Sequence, residues 1–166
     1  MALKPAIGEA IALDGATALD RDQELLVTVS ARLRRLNAIV LGNLDVPLTF
    51  RQYRTLTRVR GGYTALRQLT VRANLTLPTV SETVDGLVRR GLMETRPSEV
   101  DRRAIVLSVT EAGAAAAAAG DVALREVIGT LTQELSDDKR AELTDSLRVL
   151  YAAATRYFTD HLNAKP

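Results

Sequence analysis

The chain has 166 residues, no cysteine, one histidine, 46% hydrophobic residues and a formal net charge of +2. That is the size of one domain, or of two small ones sharing a core, and the missing thiols exclude disulfides, thiolate metal sites and thiol redox sensing. His161 alone cannot make a histidine metal cluster, and no apolar run nears the ~18 residues of a membrane helix, so no metal, no cofactor and no membrane association is expected. The charge is uneven. Residues 45–110 hold 11 arginines against 6 acids (+5), and the remainder holds 11 bases against 14 acids (−3). Positive charge gathered in one segment is the footprint that DNA phosphates attract.

Residues 1–20 contain Pro5, Gly8 and Gly15 and no sustained period, so they read as an N-terminal arm. Their apolar residues are broken by Lys4, Pro5 and Glu9, unlike the core of a signal peptide. Asp20 or Asp22 is positioned to cap a first helix in which Leu25, Leu26, Val29, Leu33, Leu36 and Val40 recur at helical spacing, up to Gly42-Asn43. That helix is too long for a small domain to support alone, and it is expected to pack on the C-terminal helices. Thr49 and Gln52 form a capping box for the next helix, with Leu48 and Tyr53 as its hydrophobic staple. Arg51, Arg54 and Arg58 lie along this helix and Arg60 near its end, serving solubility or phosphate contacts. Gly61-Gly62 makes a turn, and Tyr63-Thr64 is expected to open a further helix with Leu66, Leu69 and Ala73 inward. Arg67 and Gln68 on that helix are candidates to touch phosphates.

Thr76 caps the following helix, Pro78 falls in its first turn, and Gly91 sits where a C′ glycine ends it. Val80, Val84, Leu87 and Val88 form its apolar stripe. The other side carries Pro78, Thr79, Ser81, Glu82, Asp85, Gly86 and Arg89. Short polar side chains in the first turn suit entry into a major groove, and the helix N-terminus favours phosphate oxygens; an ordinary solvated face would read the same. Glu82 repels phosphates, yet it can accept a hydrogen bond from cytosine N4 or pair with an arginine. Leu92 to Arg96 reads as a strand, Pro97 to Asp101 as a turn, and Arg103 to Val109 as the return strand. Arg96, Arg102 and Arg103 cluster near the tip of this ribbon, where arginine suits a narrow minor groove. Asp101 and Arg103 are two apart and point the same way on a strand, so the acid can orient the guanidinium. The plainer alternative is a surface ion pair worth about 0–1 kcal/mol.

After Thr110 an almost pure alanine run, Ala112 to Ala119, leads into Val122, Leu124, Val127, Ile128, Leu131 and Leu135, a long helix. Ser136-Asp137-Asp138 restarts the chain as a second one, with Leu143, Leu147, Leu150, Tyr151, Ala154, Tyr157 and Phe158 on its stripe. Two long amphipathic helices beside a small wing suggest a dimerisation platform. A twofold dimer would set two recognition helices about one DNA turn, roughly 34 Å, apart on a pseudo-palindromic operator.

The stretch LTLPTVSETVDGLVRRGLMETRPSEVDRRAIVLSVTEAG, residues 75–113, resembles the core signature of the MarR family of bacterial transcriptional regulators. That signature pairs a recognition helix ending V-D-x-L-x-x-x-G-L with a D-R-R wing and L-x-L-T-x-x-G. LTFRQYRTL, residues 48–56, resembles the family's upstream helix, and the likeness spans roughly residues 25 to 160 in order. The resemblance implies that Arg103 enters the minor groove and Asp101 orients it. It implies that Thr76, Pro78, Thr79, Ser81 and Glu82 face the major groove, and that the first helix and the last two form the dimer interface. It also implies an effector pocket, for which Leu33, Asn37, Phe50, Tyr53 and Arg54 are the candidates; Phe50 and Tyr53 are alternatively plain core. Glu82 and Gly86 depart from the family, which usually has basic residues at both positions. A mid-helix glycine costs roughly 1 kcal/mol relative to alanine.

The expected fold is mainly α with a small β-wing: a winged helix-turn-helix over residues 45–110 and a long-helix dimerisation domain from 21–44 and 111–166. The expected function is a cytoplasmic, homodimeric, sequence-specific DNA-binding transcriptional regulator. It would repress from a pseudo-palindromic operator and be released by a small aromatic or lipophilic effector. Arg67, Gln68 and Arg89 are its expected phosphate contacts. The alternative is a winged-helix module for protein contacts without specific DNA binding. No nucleophile–base pair, metal set or phosphate-binding glycine loop is present in the sequence, so an enzyme is not expected.

Overall fold

The computed structural model describes residues 18–97 and 105–162. The chain divides into two compact units, residues 1–36 and 37–166. Its elements are α1 (Ala18–Gly42), α2 (Phe50–Arg60), α3 (Leu66–Ala73), α4 (Leu77–Arg89), β1 (Met93–Pro97), β2 (Ile105–Val109), α5 (Glu111–Thr132) and α6 (Asp137–Tyr157). A π-helical turn, Phe158–Leu162, extends α6. The fold is mainly helical with a two-stranded antiparallel ribbon, as the sequence predicts. No helix among the described residues is long and apolar enough to cross a membrane.

Local chemistry sets the boundaries. Thr49 Oγ1 accepts from the Gln52 amide at 3.2 Å, and Gln52 Oε1 accepts from the Thr49 amide at 3.0 Å, closing the box at the start of α2. Thr110 caps α5 and Ser136 caps α6 through their hydroxyls. Gly91 takes φ +68°, which only glycine adopts freely. Its amide donates to Val88 O and the Leu92 amide to Leu87 O, both at 2.9 Å, so the chain turns sharply from α4 into β1.

Several boundaries differ from the sequence reading: Leu92 lies just before β1, Pro97, read as turn, ends β1 opposite Ile105, and Leu135, read as helical, lies beyond the end of α5. Tyr63 and Thr64 do not open α3, which begins at Leu66 after Ala65. The Thr64 carbonyl accepts instead from the Leu107 amide at 2.8 Å, tying this segment to β2. Gln68 Oε1 accepts from the Ala65 amide at 3.1 Å and supplies the cap that alanine lacks. Asp20 and Asp22 do not cap α1; both lie inside it, since it already runs from Ala18.

The core belongs to the second unit. Leu41, Leu56, Leu69, Leu87, Met93 and Leu107 are fully buried and come from α1, α2, α3, α4, β1 and β2 in turn. Val80 and Val84 complete the α4 stripe, as its spacing predicts, and Val88 packs against its edge. Register pairs Met93 with Val109 and Pro97 with Ile105. α5 joins through its small residues, with Gly113, Ala116, Ala117 and Gly120 buried at helical spacing. A Cβ on Gly113 would collide with the Leu92 carbonyl oxygen, and one on Gly120 would lie 2.9 Å from a Tyr53 ring carbon. The alanine run is therefore a packing surface for close backbone approach.

Candidate nucleic-acid interface

The site is built on α4. Its apolar stripe fixes the rotation of the helix, because Val80, Val84 and Leu87 can only point inward. The opposite side is then set: Pro78, Glu82, Asp85 and Arg89 are exposed, and Thr79, Ser81 and Gly86 half-buried. At the leading turn the Thr76 and Thr79 hydroxyl oxygens lie 2.8 Å apart, and Thr76 Oγ1 also accepts from the Thr79 amide at 3.4 Å. Thr83 was not singled out in the sequence. It is buried on the inner side and satisfied by donating to the Thr79 carbonyl at 2.8 Å.

α2 stands beside α4. The two arginines that end α4 have different surroundings. Arg90 Nη2 donates to the Pro47 carbonyl at 2.7 Å and Nη1 to Gln52 Oε1 at 3.2 Å, so this side chain braces α4 against the entry to α2. Arg89 is exposed and makes no ion pair among the described residues. It lines a surface notch of about 510 Å³ together with Thr49, Arg51, Gln52, Glu82 and Gly86. That Arg51 and Glu82 line one notch was beyond sequence reasoning, since the residues are far apart along the chain. A Cβ on Gly86 would meet only Arg89 Nη2 at 3.8 Å and Gln52 Nε2 at 4.0 Å. The fold therefore has room for a side chain there.

On the ribbon, Arg96 is exposed on β1, directly opposite Val106 of β2. Asp101, Arg102 and Arg103 lie outside the described residues. Arg67 and Gln68 are exposed on α3, although the Gln68 carbonyl oxygen is engaged by the Ala65 amide.

The residues expected around an effector pocket differ in burial. Phe50 is exposed, Leu33 and Asn37 are half-buried, and Tyr53 is buried in the core. The Tyr53 hydroxyl donates to Asp121 Oδ1 at 2.6 Å, and Arg60 Nη2 lies 2.5 Å from Asp121 Oδ2. Burial first, then the hydrogen bond to Asp121, pushes the Tyr53 phenol up to about 12. For Asp121 burial acts upward, but the Tyr53 hydroxyl and the Arg60 guanidinium outweigh it and hold the carboxyl below its usual range. Arg54 alone of the five lines a cleft of about 790 Å³ between α2, α3 and the far end of α6.

The family described as "Winged helix DNA-binding domain" matches residues 48–113. Compared by sequence with curated proteins, the chain matches none. Among solved structures it is similar to apo MarR from E. coli, at 25% identity and a TM-score of 0.66, over 77% of this chain and 95% of that one. It is similar to FabT of Streptococcus pneumoniae, solved in complex with DNA, at 20% identity and a TM-score of 0.75, over 82% and 96%. It is also similar to PcaV of Streptomyces coelicolor, solved with its natural ligand, at 23% identity and a TM-score of 0.63, over 76% and 91%. A winged helix DNA-binding domain thus forms the centre of the chain, and the fold as a whole is similar to that of the transcriptional regulator MarR from E. coli.

Proposed function

We propose that the chain works as a homodimer that reads a pseudo-palindromic operator, represses transcription there, and is released by a small-molecule effector. The observation that carries the dimer is the surface of α6. None of its residues is buried, and Leu143, Leu147, Leu150, Tyr151 and Tyr157 stand exposed. On α5, Val122, Ile128 and Leu131 are exposed as well. A lone chain supports such a helix poorly, and an apolar surface of this extent marks an interface. Within the first unit, Leu25, Leu26 and Val29 are also exposed. In this reading residues 21–44 and 111–166 serve dimerisation and residues 45–110 bind DNA; the arm expected over residues 1–20 lies, up to residue 17, outside the described residues.

Thr76, Pro78, Thr79, Ser81 and Glu82 then face the major groove. Arg96, Arg102 and Arg103 serve the minor groove, with Asp101 orienting Arg103. Arg67, Gln68 and Arg89 touch phosphates. The likeness to FabT, solved with DNA, supports the operator, and the likeness to PcaV, solved with its natural ligand, supports an effector. The test is fluorescence anisotropy on the duplex upstream of the chain's own gene, from about 50 to 200 mM salt. Tight binding that salt weakens steeply, and that Arg103→Ala removes, is expected. Weak binding equal on every duplex would favour the protein-contact module, for which the exposed Glu82 and Asp85 are the supporting observation.

A further inference from the structure

Resting on the operator reading above, we infer that Glu82 is a specificity-determining residue: its carboxylate accepts from the N4 amino group of a cytosine in each half-site. The outward side of α4 holds few groups able to read a base. Between Leu77 and Val88 there is no arginine, lysine, asparagine, glutamine or histidine. Arginine and lysine are the usual readers of guanine O6 and N7, and asparagine and glutamine of adenine N6 and N7. Neither purine is read in that way from this stretch of the helix.

Most hydroxyls of α4 and its cap are engaged within the fold. The Thr76 and Thr79 oxygens lie 2.8 Å apart at the cap, and the buried Thr83 hydroxyl donates to the Thr79 carbonyl. Ser81 is half-buried. Glu82 is exposed and makes no ion pair among the described residues. Arg51 of α2 and Arg89 at the end of α4 line the same notch without pairing with it. Gly86, one turn on from Glu82, presents bare main chain to that notch. No arginine of the chain takes the carboxylate, and its oxygens are open to a donor from outside.

An ionised carboxylate can only accept hydrogen bonds. In the major groove, cytosine offers its N4 donor with no acceptor of its own beside it. Adenine offers its N6 donor next to the N7 acceptor, and guanine and thymine offer acceptors. The second carboxylate oxygen is therefore repelled by adenine N7 and tolerated by cytosine. Against guanine or thymine the charge loses its water and faces only acceptors, at a cost in free energy. Glu82 thus selects by exclusion as well as by attraction. Positive charge from Arg51 and Arg89 in the notch offsets repulsion between the carboxylate and the phosphates. Asp85 is also exposed, but it is one methylene shorter and lies further from the leading end with which recognition helices meet bases.

The full chain, Glu82→Gln, Glu82→Ala and Asp85→Asn are each used to select duplexes from a randomised library. Anisotropy then compares the selected duplex with its single-base variants. The parent chain is expected to enrich a two-fold repeated site with a fixed cytosine–guanine pair in each half. Glu82→Gln is expected to change that pair to adenine–thymine, because glutamine reads adenine N6 and N7, and to leave the other positions as they were. Replacing the cytosine in one half-site is expected to weaken the parent by about tenfold. The same replacement is expected to change Glu82→Ala by no more than about twofold, the contact being absent already. Asp85→Asn is expected to keep the parent's preference. Thermal melting shows that each variant is folded. One common site enriched by the parent, Glu82→Gln and Glu82→Ala, or a cytosine preference moved by Asp85→Asn alone, overturns the role of Glu82 and leaves the operator reading standing. Equal binding to every duplex with no enriched sequence overturns the operator reading and the role of Glu82 together.

Discussion

The Tyr53 hydroxyl of α2 and the Asp121 carboxylate of α5, 68 positions apart in sequence, are joined by a 2.6 Å hydrogen bond. Arg60 closes on the other carboxylate oxygen, so one acid holds two points of α2. Asp121 titrates below the usual carboxylate range, so the stability it contributes is fully present above the unfolded carboxyl pKa, about 3.9. That contribution is lost as pH falls through the lower folded value. Asp121→Asn is expected to flatten the stability profile in the acid range below about pH 4, measured by urea unfolding at stepped pH. An unchanged profile would show that the clamp does not couple to folding. Tyr53→Phe is expected to cost about 0.5–1.5 kcal/mol near neutral pH, the net value of a hydrogen bond.

Gly113 has no room for a side chain. A Cβ would strike the Leu92 carbonyl and sit 2.9 Å from Val109 Cγ1. Gly113→Ala is expected to destabilise by about 3 kcal/mol, because backbone must move to relieve it. A melting temperature within a degree or two of the parent chain would contradict the close approach of α5 to the ribbon.

Gly86 is the opposite case. With only ordinary contacts awaiting a Cβ, Gly86→Ala is expected to stabilise α4 by about 0.5–1 kcal/mol. The same substitution on a groove-facing surface is expected to weaken operator binding. Higher stability together with weaker binding would explain why glycine is there. Higher stability with unaltered binding would place Gly86 off the interface.

Adjacent arginines are expected to part company. Arg89→Ala should leave stability within about 0.5 kcal/mol, as for most surface changes, and reduce the salt slope of duplex binding by about 1. Arg90→Ala removes hydrogen bonds to Pro47 and Gln52 and should lower stability by about 1–2 kcal/mol. Its salt slope should be little changed. Paired unfolding and anisotropy series separate the two roles, and a reversal of the pattern would refute the assignment.

What the sequence revealed was local. Thr49 with Gln52, Thr76 with Pro78, Gly91 and Ser136 each carry their structural meaning within four residues, so these helix ends were legible. The α4 stripe was legible for the same reason, and it determined which residues of that helix face outward. The start of α3 was misread because its decisive partner, Leu107, lies on the ribbon. Tyr53 read as core, with pocket lining as the alternative, and its hydroxyl had no visible partner until Asp121 was placed against it. Arg58 read as solubility or phosphate contact and Arg67 as a phosphate contact, and Arg72 was not singled out, because the cleft they line together with Arg54 depends on how α2 meets α3 and where α6 ends. Asp101, Arg102 and Arg103 rest on the motif alone.

The seam between α2 and α5 has a mechanical consequence. Where Tyr53 and Leu41 rest on Gly120, and the ribbon rests on Gly113, one surface is bare main chain with no rotamers to absorb a displacement. Packed interiors of this kind shift in discrete steps or not at all. A tilt imposed anywhere on the N-terminal half of α5 therefore reaches α2 undamped, with the Asp121 clamp as the rivet through both.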